Sequence, residues 1–189
     1  MLSGDAPHLM VNKFRGIIDG ERLDFMSEKS ELIEKARQLG REYLPVYREC
    51  APTTLLAVAD TLNMKVSDDL FKAMVGLSGP SGGCGGICGA TAAIGLRYGV
   101  NRDEFVKDPE TRGRVSGKIL PTVKLVRDRF VETYGGYLCY DVQKKLFGRP
   151  FDFTIPEELE AFREGPTGKC RQVTENASGW TVEAVLETE

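Results

Sequence analysis

Histidine is almost missing from this chain of 189 residues, whose one histidine is His8. One histidine cannot supply the several imidazole ligands that a histidine-based metal site requires. Catalytic sets that pair histidine with serine or cysteine are excluded too, unless His8 folds back onto the body of the protein. We expect His8 to be an ordinary surface residue. No carboxylate pair, lysine or serine stands out as a general acid, base or nucleophile, so we do not predict an enzyme that acts on its own.

The chain also lacks long apolar runs and an excess of positive charge. No segment reaches the roughly 20 apolar residues that span a bilayer, and the N-terminus has no signal-peptide pattern. A net charge of −3 gives no field that would attract nucleic acid or an anionic membrane. We therefore expect a cytoplasmic protein that binds no nucleic acid, does not insert into membranes and keeps its thiols reduced.

Strand signals are weak throughout, whereas apolar residues recur at helical spacing along most of the chain. Helices are predicted where a capping residue or a proline precedes such a pattern. These predicted helices begin at Ser27, Cys50, Ser67, Ala90, residue 113, Tyr140, Pro156 and the segment after Cys170. The predicted class is all-α, a compact multi-helix domain with a glycine-rich loop and an N-terminal arm.

Several residues are expected to interrupt these helices. Gly40 is predicted to end or kink the first helix, and Pro121 to kink or split the longest one. Ser178-Gly179 is predicted to break the C-terminal helix. The polar stretch over residues 100–112 is predicted to be a loop.

The first 26 residues carry no clear pattern, and we predict a loose arm there. Together with the helix that follows, this arm forms a predicted N-terminal unit over residues 1–46. Residues 47–189 then form a four-cysteine helical redox domain. The arm suggests a homodimer.

Glycine is concentrated between Gly76 and Gly89, at a density that regular elements do not tolerate. We predict a loop there, followed by a helix of small residues that has Cys88 at or near its start. Gly85, Gly86 and Gly89 would let backbone amides approach anionic sulfur. No Gly-Lys-Ser/Thr follows the loop, so it is not predicted to bind nucleotide phosphates.

Five cysteines are present, and four of them sit beside a predicted helix boundary. They are Cys50, Cys88, Cys139 and Cys170, and the fifth is Cys84. The free N–H groups and positive dipole of a helix N-terminus favour thiolates, which both iron ligation and disulfide exchange require. Any one of these cysteines could instead be a small core residue. Their spacings are not the paired Cys-x-x-Cys knuckles of common zinc sites.

The cysteine pattern resembles that of a known family. Cys50 precedes an apolar helix, Cys88-Gly89-Ala90 opens a helix of small residues, and Cys139 and Cys170 follow. This order resembles the C_GCAxxG_C_C family of redox-active proteins over most of the chain, although Ala93 replaces the glycine that ends the family motif. The resemblance implies an all-helical domain in which the four cysteines converge. The domain is also similar to the four-cysteine part of split-Soret cytochromes c, which is associated with an iron–sulfur centre; the haem-attachment motif is missing here.

The resemblance implies that Cys50, Cys88, Cys139 and Cys170 ligate a cofactor, which we expect to be an iron–sulfur cluster, most simply [2Fe–2S]. Such a cluster would serve electron transfer or sensing with a redox partner protein of unknown identity. One alternative is a thiol–disulfide protein that uses Cys84 and Cys88, with Cys84 as an extra redox thiol. Further alternatives are a structural zinc site and a helical interaction module with buried cysteines and no metal.

Overall fold

The computed structural model of the chain describes the backbone of residues 6–79, 82–164 and 167–189, and the side chains from residue 26 onward except at 80–81 and 164–167. Within these ranges it contains nine helices and no strand, which confirms the all-α prediction. The helices are α1 (Ala6–Tyr47), α2 (Cys50–Thr61), α3 (Asp68–Val75), α4 (Gly85–Tyr98), α5 (Arg102–Lys107), α6 (Pro109–Tyr134), α7 (Cys139–Phe147), α8 (Pro156–Glu164) and α9 (Thr167–Thr188). Among the described helices, none is both long and apolar enough to cross a membrane.

Helix α9 is the centre of the bundle, and it packs against α1, α2, α4 and α6. Its apolar side chains are buried among those of the surrounding helices, as at Val173, Ala177 and Val185. Burial of such side chains supplies most of the free energy that holds helices together. Among the short helices, α3 packs on α2, α5 and α7 pack on α6, and α8 packs on α9.

Helices α2 and α4 approach each other backbone to backbone at Gly89. A Cβ atom on Gly89 would lie 2.7 Å from Thr54 Cβ and 2.9 Å from Leu55 N, and it would collide with Ala51 O. A glycine is required here, because a side chain at position 89 would not fit between the two backbones. Because the contact lies near the starts of both helices, it brings those two starts together.

Helix α4 begins earlier than the sequence predicted. The glycine run was expected to stay irregular up to Gly89, with Cys88 at or near the helix start. Instead Cys84 is the N-cap residue and Gly85 is the first helical residue, while Cys88, the fourth helical residue, lies in the first turn and so near the helix start as predicted. The close packing on α2 offsets the low helix propensity of glycine, which is about 1 kcal/mol per residue relative to alanine.

The expected ends, splits and breaks are not seen in the helices. Helix α1 runs through Gly40, α6 runs through Pro121, and α9 runs through Ser178-Gly179. Gly40 serves close packing instead, because a Cβ atom there would lie 2.6 Å from both Thr174 O and Ser178 Oγ. Residues 100–112 are mostly helical, in α5 and the first turn of α6.

The N-terminal arm is helical backbone from Ala6 onward, although the sequence carries no clear helical pattern there. The expectation for His8 falls on a side chain outside the described residues. From residue 26 onward, α1 buries Ala36 and Leu44 against the bundle. The division at residue 46 and the homodimer stay predictions.

Candidate functional site

Four helices each place one cysteine at a shared cavity of about 660 Å³. Each of these cysteines lies at or within the first turn of its helix, because the helix starts converge at this end of the bundle. Cys50 is the first residue of α2, Cys84 caps α4, Cys139 is the first residue of α7 and Cys170 is in the first turn of α9. Residues that are far apart in the chain therefore present thiols to one space, and all five cysteines are free thiols.

The starts of α4 and α7 are tied together by two backbone hydrogen bonds. Cys84 N–H donates to Tyr137 O at 2.8 Å, and Cys139 N–H donates to Gly82 O at 3.0 Å. These bonds flank the isolated bridge between Gly83 and Leu138. The glycine-rich segment thereby holds Cys84 and Cys139 at the same side of the cavity.

Cys50 is seated against the first turn of α4. A Cβ atom on Gly85 would collide with Cys50 Sγ and would lie 2.8 Å from Ala51 N. The Ala51 amide in turn donates to Ser78 Oγ at 3.2 Å, which fixes the start of α2 on the segment before α4. Only a residue without a side chain fits at position 85, so this glycine brings the first turns of α2 and α4 into contact.

Cys88 lies one turn further along α4 and is not among the residues that line the cavity. Its sulfur would lie 2.8 Å from a Cβ atom on Gly83, and it is close enough to Cys50 to interact with it electrostatically. Cys84, which was predicted to be an extra thiol, interacts in this way with Cys50, Cys139 and Cys170. The structure therefore gathers all five cysteines, with Cys84 facing the cavity more directly than Cys88.

Of the predicted supporting glycines, Gly85 contacts a cysteine and the other two contact neighbouring helices. Gly86 leaves room for Phe130 and Val173, whose atoms would lie 3.2 and 3.3 Å from an added Cβ. Gly89 contacts α2. Their function as anion-binding amides stays a prediction.

Gln143 is a site residue that sequence analysis missed. Its side chain is 3% exposed, its Nε2–H donates to Cys139 Sγ at 3.2 Å, and its Oε1 accepts from Phe151 N–H at 2.6 Å. Both ends of the buried amide are thus fixed, one of them to a cysteine. The signal was present in the sequence, because residues four apart in a helix lie on the same face.

Burial raises the pKa of all five thiols. The pKa of Cys170 rises from 9.0 to about 12, and that of Cys84 rises well above its usual range. Hydrogen bonds from the Gly79 backbone to Cys50 and from Gln143 to Cys139 oppose this effect without cancelling it. In the metal-free protein, the loss of water on burial therefore favours the protonated thiols, in opposition to the effect expected of the helix N-termini.

The fit of the site to a metal cofactor depends on its donors. Among the described residues, no three His, Cys, Asp or Glu side chains are arranged as they would be around a single metal ion. The cavity is nevertheless lined by four thiols, with Glu49 as its one carboxylate, and the space between the thiols is larger than one ion. Four thiols around a shared space are the donor set that iron–sulfur clusters use, so the residues fit such a group.

Comparison with known proteins gives one family and one relative. The sequence profile of the family described as "Putative redox-active protein (C_GCAxxG_C_C)" matches residues 48–184. An uncharacterised protein of Archaeoglobus fulgidus is 37% identical over 60 residues, which are 32% of this chain and 40% of that protein. The chain thus spans two fifths of the length of that relative. No solved structure matches the chain.

Proposed function

Because the chain belongs to the C_GCAxxG_C_C family of redox-active proteins, we propose that its cysteines ligate an iron–sulfur cluster for electron transfer or sensing. The observation that carries this proposal is the meeting of thiols from four different helices at one cavity. Packing alone gives no reason for four helices each to carry a cysteine at or near its start at the same place. The protein would exchange electrons with a partner protein.

Three of the proposed ligands are Cys50, Cys139 and Cys170, which line the cavity and occupy positions in the family pattern. The fourth comes from α4. Cys88 is the residue that matches the family motif, and Cys84 is the residue that lines the cavity. We propose Cys88 as the ligand, and we treat Cys84 as its competitor in the experiment below.

The raised pKa values of the thiols support ligation over free nucleophilic chemistry. A buried thiol with a raised pKa stays protonated at neutral pH and attacks disulfides slowly. A bound metal cation reverses this preference, because a coordinating thiol loses its proton outright. When bound, an iron–sulfur cluster supplies one-electron redox chemistry.

The chain's own residues would hold and tune such a group. Gln143 donates a hydrogen bond to the sulfur of Cys139, and hydrogen bonds to ligating sulfurs are one of the factors that set the potential of a cluster. Cys84 and the first turn of α4 are buried, so little water reaches that part of the site. Burial from water is a second factor that sets the potential.

The proposal is tested by purifying the protein without oxygen and measuring iron, acid-labile sulfide, zinc and the visible absorption spectrum. We expect iron and sulfide in near-equal amounts, with charge-transfer bands in the visible region. Cys50→Ala, Cys139→Ala and Cys170→Ala should each lose most of the iron. Comparing Cys84→Ala with Cys88→Ala identifies the fourth ligand, and Leu159→Ala, a cavity residue without a donor atom, should keep the cluster.

Two results would overturn the proposal. One is protein that carries no iron and takes up none when supplied with iron and sulfide under reducing conditions. The other is protein that binds zinc in a stoichiometric amount and excludes iron, which would make the site structural.

A thiol–disulfide protein is the second candidate, and the placement of Cys84 and Cys88 favours it. The Cys88 amide donates to Cys84 O at 3.0 Å, as in a helical turn, so the two Cα atoms lie within the reach of a disulfide. A reversible bond here would change the number of free thiols by two between reducing and oxidising conditions. Thiol titration of the metal-free protein separates this candidate from the first.

A further inference from the structure

The cavity shared by the cysteines has the size of a pocket for an organic molecule. Its volume of about 660 Å³ lies within the range of about 300–1,000 Å³ typical of small-molecule pockets. Besides sulfur, its wall includes Leu159 and the rings of Phe153 and Phe162, whose centroids lie 4.7 Å apart. These side chains provide an apolar surface for the body of a ligand.

Positive charge surrounds the same space, although the chain as a whole carries a net charge of −3. Arg48, Arg163 and Arg171 line the cavity, against one carboxylate at Glu49. Within the part of the chain that the structure describes, the guanidinium groups of Arg48 and Arg171 form no ion pair or hydrogen bond. Guanidinium groups bind carboxylates and phosphates through paired hydrogen bonds, so two of them here provide a binding surface for an anionic group.

The backbone of Arg48 gives an independent reason to assign it a function. Arg48 follows the end of α1 with a φ angle of 60°, in the left-handed region that favours glycine. An arginine there is less stable than a glycine would be, and strained residues of this kind cluster at functional sites. Arg48 lines the cavity, which accounts for an arginine at this position.

We propose that the cavity binds a small organic anion. Its carboxylate or phosphate head group is held by Arg48 and Arg171, and its apolar body lies against Phe153 and Phe162. That this anion is the substrate of the redox site rests on the proposed function. Its binding to the two arginines requires no cluster.

The test uses three small aromatic probes: benzoate, phenyl phosphate and neutral benzyl alcohol. Each is titrated into the full chain, both metal-free and cluster-loaded, by isothermal calorimetry and ligand-observed NMR. We expect saturable binding of one anion per chain, with a Kd of about 1 mM or tighter for ligands of this size. Benzyl alcohol should bind at least about tenfold more weakly, since it lacks the charge that the arginines recognise. The two anions show whether the head group is carboxylate or phosphate.

Variants locate the site without relying on buried residues. Arg48→Gly should weaken anion binding about tenfold and leave the urea midpoint of unfolding equal or higher, because glycine suits the left-handed backbone. Arg171→Gln should weaken binding to a similar extent. Arg127→Gln removes an exposed arginine that pairs with Asp128 on α6, and it should bind the probes like the parent protein.

The outcomes separate this inference from the proposed function. Anion binding that depends on Arg48 and Arg171 in protein that assembles no cluster supports the inference and overturns the proposed function. Protein that assembles a cluster but binds neither anion supports the proposed function and overturns the inference. Binding that is equal for benzyl alcohol and the anions, or unchanged by Arg48→Gly and Arg171→Gln, would overturn the inference.

Discussion

Replacing Gly85 tests whether the absence of a side chain at this position allows α2 and α4 to pack together at the site. We expect Gly85→Ala to lower the free energy of unfolding by about 1–3 kcal/mol, because the new methyl group meets Cys50 Sγ and Ala51 N. Urea unfolding measures the effect. Gly95→Ala is the matched control in the same helix, since nothing lies within 4 Å of a Cβ there; it should stabilise the protein by about 0.5–1 kcal/mol. Equal effects of the two substitutions would contradict this account.

Replacing Gln143 tests whether its buried amide contributes both to the stability of the fold and to the reduction potential of the cluster. Gln143→Leu leaves the Phe151 amide without its acceptor and should destabilise the protein by about 1–3 kcal/mol. It also removes the donor to Cys139 Sγ. In the cluster-loaded protein the reduction potential should therefore fall, since that hydrogen bond favours the more negative, reduced state.

Gln38→Leu, which changes an exposed glutamine on α1, is the control for Gln143→Leu. It should change stability by less than about 0.5 kcal/mol and should not change the potential. A potential that is the same in Gln143→Leu as in the parent protein would show that Gln143 has a structural function only.

Sequence analysis predicted the residue types of the site better than their contacts. Cysteines at helix starts are visible in the sequence, because proline and glycine mark those starts. The link from Gln143 to Phe151 depends on how the chain after α7 folds back, and no local pattern contains that information. The raised thiol pKa values could not be predicted from the sequence, since burial depends on the whole bundle.

At the scale of the elements, Gly40 tests the packing of α1 on α9. Gly40→Ala places a methyl group 2.6 Å from Thr174 O, which is backbone and cannot move aside easily. The Thr174 hydroxyl also donates to Gly40 O at 2.8 Å, so a shift would break this bond. We expect a loss of about 1–3 kcal/mol in the free energy of unfolding, measured in urea.

The control for Gly40→Ala is Gly117→Ala on α6, where an added methyl group meets nothing within 4 Å. This substitution should be neutral or stabilising. If Gly40→Ala were equally neutral, α1 would not be held against α9 as closely as described.

Helix starts were predicted more accurately than helix interruptions. Ser67 accepts from Leu70 N–H as an N-cap, and Gly135 and Gly148 end their helices with positive φ, all of which follow from local chemistry. Gly40 and Pro121 did not interrupt their helices, because tertiary packing overrides a local preference of a few kcal/mol. The Asn101–Glu104 capping box, by contrast, was visible in the sequence and was overlooked.

The raised thiol pKa values predict how the stability of the whole metal-free protein changes with pH. A thiol whose pKa is higher in the folded state contributes stability that is complete below its unfolded value of 9.0 and is lost as the pH rises toward about 12 for Cys170. Between pH 9 and 10, the parent protein should lose about 1 kcal/mol more than Cys170→Ala. Urea unfolding at each pH measures this difference, and parallel curves would contradict it.

The convergence of the cysteines was implied by the family resemblance and could not be derived from spacing. Residues 50, 84, 139 and 170 share no periodicity, and they meet only because α2, α4, α7 and α9 begin at the same end of the bundle. Contacts this far apart in the chain are set by the packing of the helices. The choice between Cys84 and Cys88 also cannot be made from the sequence. The family motif indicates Cys88 as the ligand, whereas Cys84 is the residue that lines the cavity.

Anomalous scattering at the iron absorption edge, from crystals grown without oxygen, tests the central claim most directly. The account predicts an iron peak in the cavity, within bonding distance of the sulfurs of Cys50, Cys139 and Cys170 and of one cysteine from α4. A map without iron, from protein that had been supplied with iron and sulfide, would contradict it.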